Sequence, residues 1–174
     1  MNPICIDLDG TLIKEDVTFE ACKIFIKRNY FNIFIIFGWL IQGRAHLKHM
    51  LGKCVEIDVS SLTYNKTLLE YIIKKKREGH KIFLATACNQ IYANKVASHL
   101  KLFDGIFASS DQINLRSKAK AKALSTIFGE KGFIYAGNSV DDLKVWKKSS
   151  ECILVTPTKS ALRGMRGRDY LLFK

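Results

Sequence analysis

The stretch "ICIDLDGTLI", residues 4–13, decides how this 174-residue chain is read. An apolar run leads into two aspartates, Asp7 and Asp9, and a Gly10-Thr11 pair follows at once. The run reads as a buried strand, Ile4 to Leu8, that ends in like charges. Side chains alternate along a strand, so Asp7 and Asp9 are expected to point the same way. Their repulsion is costly without a cation, and Mg²⁺, which prefers oxygen ligands, relieves it.

The rest of the chain supplies a sheet around that strand. From Asp16 to about Leu62 the patterns are helical only: Val17 to Arg28, Ile33 to Ile41 and Ala45 to Leu51, separated by Asn32, Gly43 and Gly52. Beyond them strands and helices alternate. Asn65 can cap a helix to Glu78, Lys81 to Thr86 reads as a strand, and Asn89 can cap a helix to Leu100. Ile106 to Ala108, Phe133 to Ala136 and Cys152 to Val155 follow as strands, with helices over Ser117 to Phe128 and Val140 to Lys148. This alternation predicts an α/β fold: a Rossmann-like parallel sheet with helices on both faces, plus a helical cap inserted after the first strand. The expected organisation is a core of residues 1–14 and 63–174 and a cap over 15–62. Ligands of such sheets sit at the carboxyl ends of the strands. Three segments should converge there: Asp7 to Gly10, Thr86 with Ala87, and "GNSVDD", Gly137 to Asp142.

Composition bounds the partners. Hydrophobic residues make up 48% of the chain, ample for a core, and 28 Lys and Arg against 16 Asp and Glu give a net charge of +12. That balance favours anionic partners (phosphorylated substrates, acidic protein surfaces, nucleic acid or anionic lipid) without choosing among them; with the motifs of this chain, no nucleic acid partner is expected. Five scattered cysteines without a C-x-x-C fit reduced thiols and a cytoplasmic setting, and no signal peptide is seen at the N-terminus. "YFNIFIIFGWLIQ", Tyr30 to Gln42, is shorter than the roughly 20 residues of a bilayer-spanning helix. It is expected to be a helix buried inside a small helical subdomain; the lesser readings are a surface that touches membrane or a partner and, last, a true span. "CKIFIKR", Cys22 to Arg28, has the C-x5-R spacing of cysteine phosphatases, but its bulky helical residues cannot form the Gly-rich loop which that chemistry needs. His46 and His49 lack a third metal ligand, and no P-loop is present.

The motifs resemble those of the haloacid dehalogenase (HAD) superfamily: "DLDGT" (7–11) its first, "IFLAT" (82–86) its second and "GNSVDDL" (137–143) its fourth. More narrowly, the chain looks like the HAD-like domain at the N-terminus of UbiA-type prenyltransferase fusions. "RAHLK" (44–48), "TYN" (63–65), "LATA" (84–87), "HLKLFD" (99–104) and "GNSVDDLKVW" (137–146) stand in the places of that domain's pattern. The resemblance implies a Mg²⁺-dependent phosphatase. Asp7 is then the nucleophile and a metal ligand, and Asp9 the general acid and base, its backbone carbonyl also on the metal. Gly10, Thr86 and Ala87 bind the phosphoryl group. For the third-motif cation in "NLRSKAK", Arg116 is the first choice, ahead of Lys120 and Lys118. Asn138 is a metal ligand where the family usually carries an aspartate, Asp142 is the supporting acid, and Asp141 is a further candidate beside it. A cap at this place selects substrates, so aromatic residues among Phe19, Phe31, Phe34, Phe37 and Trp39 are candidates to meet the leaving group. The implied substrate is a small phosphorylated metabolite or a phosphorylated protein side chain such as phosphotyrosine. The alternative is a catalytically weakened binding or regulatory module at a membrane or with a protein partner. The oligomeric state is left open.

Overall fold

Three residues, Ile4–Ile6, form the central strand of the computed structural model, which describes residues 1–174. In chain order the elements are β1 (Ile4–Ile6), α1 (Val17–Arg28), α2 (Asn32–Ile41), α3 (Arg44–Cys54), α4 (Lys66–Arg77), β2 (Ile82–Asn89) and α5 (Gln90–Leu100). Then come β3 (Gly105–Ser109), α6 (Lys118–Phe128), β4 (Ile134–Gly137), α7 (Leu143–Trp146), β5 (Glu151–Val155), α8 (Lys159–Gly164) and β6 (Leu171–Phe173). The six strands make one parallel sheet in the order β3-β2-β1-β4-β5-β6. Ile4 and Ile6 stand opposite Ile82 and Leu84 on one side and opposite Ile134 and Ala136 on the other. The chain winds outward both ways from β1, and such a reversal opens a crevice at the carboxyl ends of the strands.

Strand alternation assigns the two faces. Ile4, Ile6, Leu84, Ala136 and Ile153 belong to a buried cluster of 23 residues, closed by side chains of α1, α3, α4 and α5. Cys5, Ala85, Tyr135 and Leu154 face the other way, into a cluster of 12 completed from α6, α7 and α8. The helices inserted after β1 do not bury a separate core: Val17, Ala21, Leu47 and Leu51 join the larger cluster. Side-chain caps start the helices where short polar residues precede apolar runs. Asp16 accepts from the Phe19 N–H at 2.9 Å, Asn65 from Leu68 at 3.0 Å and Asn89 from Ile91 at 2.9 Å.

Three expectations change. β1 ends at Ile6, so Asp7 and Asp9 lie in the turn after the strand, where Asp9 forms an isolated bridge with Ile13. The region after Gly137 is a 3-10 turn (Val140–Asp142) leading into the short α7, not one continuous helix. The apolar segment after Tyr30 is a helix, but it is not buried. None of the α2 side chains is fully covered, because α1 and α3 shelter only a stripe through Asn32, Ile36 and Trp39. No helix is long and apolar enough to cross a membrane.

Candidate active site

Asp7, Asp9, Gly10, Ala87, Arg116, Asn138 and Asp142 all line one cavity of about 570 Å³ at the carboxyl edge of the sheet. The turn after β1 brings both aspartates to it, and a left-handed residue makes that turn possible. Gly10 has φ 71°, and a Cβ there would fall 2.2 Å from the Asn138 amide nitrogen. Thr86 lies at the same end of β2 but is fully buried, its hydroxyl accepting the Cys88 N–H at 2.9 Å; it does not line the cavity. Between Ala85 and Asn89 the pairing of β2 with β3 shifts register, and such a bulge re-aims the chain, here toward the cavity at Ala87. The Ala87 carbonyl is held by the Lys48 ammonium at 2.6 Å and the Ser109 hydroxyl at 2.8 Å.

The cation against Asp7 is Lys120. Its Nζ lies 2.7 Å from Asp7 Oδ1, and the lysine is only 3% exposed. Arg116, the first choice from sequence, instead pairs with Asp141 on the cavity rim, its Nε and a terminal nitrogen reaching Asp141 Oδ2 at 2.7 and 2.6 Å. Lys118 is exposed. The preference for Arg116 is therefore corrected by the geometry at Asp7. Helix position explains it: Lys120 is in the first turn of α6, beside the inward-facing Ala121 and one turn before Leu124.

Sequence reasoning gave no role to Tyr135 or Lys48. The Tyr135 hydroxyl accepts from Lys120 Nζ at 2.8 Å and donates to Asp142 Oδ1 at 2.7 Å. Burial and the Asp142 carboxylate push the phenol well above its usual range, so it stays a donor. The other Asp142 oxygen accepts from the Asn138 N–H at 3.0 Å and from the Ser139 N–H and hydroxyl at 2.9 and 3.0 Å. Asp142 thus clamps the "GNSVDD" turn, and the absence of a side chain at Gly137 makes room for it, since a Cβ there would meet Asp142 Cγ at 2.6 Å. Within the apolar "FIYAG" run Tyr135 reads as core; only its place two residues before Gly137 hints at more.

The electrostatics separate the two aspartates. Burial pushes the Asp7 carboxyl up to about 6, against the pull of the Lys120 charge. Burial pushes Asp9 higher, to about 7, with help from Asp16 and Asp7, while one of its oxygens accepts the Val17 N–H at 2.8 Å. Burial would lower the Lys120 ammonium, but Asp7 and Asp142 outweigh it and raise it. No group of three or more His, Cys, Asp and Glu gathers as a metal cluster. A site for Mg²⁺ therefore has to combine the Asp7 carboxylate with neutral oxygens, the Asp9 carbonyl and the Asn138 side-chain amide. These are hard oxygen donors of the kind a divalent cation such as Mg²⁺ takes.

No family model matches the chain. It is 37% identical over 162 residues to the uncharacterized protein y4nM of Sinorhizobium fredii (strain NBRC 101917 / NGR234), a match covering 88% of this chain and 30% of that protein. The chain thus spans less than a third of that relative's length. Among solved structures it is similar to the HAD family hydrolase t0658 of Salmonella enterica serovar Typhi, with TM-score 0.68 and 15% identity over 93% of this chain and 66% of that one. It is also similar to a substrate-bound phosphoserine phosphatase, with TM-score 0.70 and 16% identity over 99% of this chain and 93% of that one. At these identities the likeness is one of fold, and the fold is that of the HAD-like hydrolases.

Proposed function

We propose that this chain is a Mg²⁺-dependent phosphatase that hydrolyses a phosphomonoester through a phospho-aspartate on Asp7. One observation carries the reading: two carboxylates share a cavity, the buried Asp7 paired with the buried Lys120 and the partly buried Asp9 with its carboxyl pushed up to about 7. Asp7, ionised at pH 7 beside Lys120, attacks phosphorus as the P–O bond to the leaving group breaks. Asp9, with a carboxyl near 7, gives its proton to the leaving oxygen. The same carboxylate then takes a proton from water as the water oxygen attacks phosphorus, which releases phosphate and restores Asp7. Lys120 and the amino end of α6 supply positive charge to the transferring group, and Ala87 and Gly10 offer close backbone approach. Mg²⁺, held by Asp7, the Asp9 carbonyl and Asn138, would neutralise phosphoryl charge when bound.

The fold likeness to phosphoserine phosphatase, a protein also solved as a phospho-aspartyl intermediate analogue, supports this chemistry. Finer kinship with the domain of UbiA-type fusions is supported by "RAHLK", whose Arg44 and Lys48 line the cavity. We read residues 15–62 as a cap that selects the leaving group, since Phe19, Leu40 and Leu47 form part of the cavity wall. The substrate is then a phosphorylated metabolite or a phosphorylated protein side chain. Five unpaired cysteines fit a reducing compartment such as the cytoplasm. The test is hydrolysis of a generic aryl phosphate with and without Mg²⁺. Asp7→Asn is expected to abolish turnover at unchanged melting temperature, because an amide is no nucleophile. Substantial residual turnover would overturn the assignment of Asp7 as nucleophile, whereas a parent without Mg²⁺-stimulated hydrolysis would favour the second reading, a weakened binding module, toward which the uncharged Asn138 points.

A further inference from the structure

From the exposed surface of α2 we infer that this helix docks on an anionic lipid bilayer, lying in the interface without spanning it. Between Asn29 and Gly43 no residue carries a charge, and the side chains turned outward are Phe31, Ile33, Phe34, Ile35, Phe37 and Ile41. Phe31, Phe34 and Ile41 are 74%, 70% and 85% exposed. A folded protein rarely leaves such a contiguous apolar surface to water without a use for it.

The form of the surface and the charge around it select the occupant. A protein partner would be expected to meet a patch with a hydrogen-bonding rim. Here the helix is bare round most of its circumference, and polar side chains occur only at its ends and beneath it: Asn29, Tyr30, Asn32 and Gln42. Beyond those ends positive charge predominates, with the one acid, Glu20, paired to Lys23. Six Lys and Arg stand against the single acid Glu20 between Val17 and Val55, with Lys23, Lys27, Arg28, Arg44 and Lys53 exposed. An apolar helix flanked in sequence by exposed Lys27, Arg28 and Arg44 complements headgroups that are anionic above a hydrocarbon layer. Ten helical residues are too few to cross the roughly 30 Å hydrocarbon core, so the helix lies in the interface. Leu40, on the same helix, lines the cavity that holds Asp7, so docking sets the edge of that cavity at the lipid surface.

The test is flotation of the 174-residue chain with vesicles of phosphatidylcholine, alone or with one third phosphatidylglycerol. Binding to the anionic vesicles is expected, and much less to the zwitterionic ones. The triple variant Phe34→Ser/Phe37→Ser/Ile41→Ser removes one face of the helix, and its partition should fall by about tenfold or more. Those side chains are exposed, so circular dichroism and melting temperature should match the parent and separate lost docking from lost folding. Undiminished vesicle binding by the variant would assign the contact to general basic charge and overturn the inference. Equal binding to both vesicle types would overturn it too. So would a parent that ignores vesicles but self-associates in sedimentation while the variant is monomeric, since the face would then join two copies.

Discussion

Asn138 sets the charge of the edge on which a metal would sit. Its backbone N–H is fixed by Asp142 at 3.0 Å, so the side chain has a defined place beside Gly10. A neutral amide there binds a divalent cation more weakly than a carboxylate does. Asn138→Asp should therefore lower the Mg²⁺ concentration for half-maximal activity, by roughly tenfold for a ligand in direct contact. The opposing effect is repulsion from Asp7 and Asp9, which are farther from the new charge than the cation would be. Titrating Mg²⁺ against both forms decides between them. A higher requirement would mean that the repulsion wins, and an unchanged one that Asp141 or Asp142 already supplies the missing charge, although Asp141 is paired with Arg116 and both Asp142 oxygens carry hydrogen bonds. Most of this site was legible residue by residue, because Asp7, Asp9 and the "GNSVDD" turn are local patterns at strand ends. Lys120 was less legible: the resemblance of the third motif favoured Arg116, whereas the partner of Asp7 is chosen by which side of α6 faces the sheet.

That choice is an element-scale property. In "KAKAK" Lys118 and Lys122 are exposed, and only Lys120 joins Ala121 and Leu124 on the buried face of α6. Charge runs on helices usually mean a solvated face, and two of these three lysines obey that rule. Removing Lys120 leaves Asp7 and Asp142 without their buried counter-charge, which is far more damaging than losing a surface pair. Lys120→Met should cost about 3 kcal/mol in urea unfolding and most of the activity, whereas Arg116→Ala, which breaks an ion pair on the rim, should cost under about 1 kcal/mol. A greater loss of activity in Arg116→Ala than in Lys120→Met would return the third-motif role to Arg116. The helix that the sequence misplaced, α2, fails for a related reason. Hydrophobicity signals that a surface avoids water, but not whether this chain can cover it, and two neighbouring helices cover only one stripe. α8 and β6 escaped notice because the Gly-rich, basic stretch from Lys159 to Asp169 masks a short helix, and Leu171–Phe173 is too brief to show a period.

At the scale of the whole molecule the net charge of +12 poses a question of range. The cavity lining itself is nearly balanced: Lys14, Arg44, Lys48, Arg116 and Lys120 face Asp7, Asp9, Asp16, Asp141 and Asp142. The excess lies elsewhere on the surface, on helices such as α4, whose last turn is Lys74 to Arg77. A dianionic phosphate feels that excess only when screening is weak. The Debye length is about 30 Å at 0.01 M salt, enough to reach across a chain of this size, and about 8 Å at 0.15 M, which confines the field to the balanced lining. For an aryl phosphate substrate, kcat/KM should therefore fall by about three- to tenfold between those ionic strengths, with kcat little changed, because the field acts on encounter. Further salt should do little. Stopped-time assays at fixed free Mg²⁺ across that range measure both constants. If kcat/KM stays flat, the basic surface does not steer substrate. If kcat falls in parallel, salt is instead weakening a contact within the cavity, with Arg116–Asp141 on the rim the exposed pair to examine first.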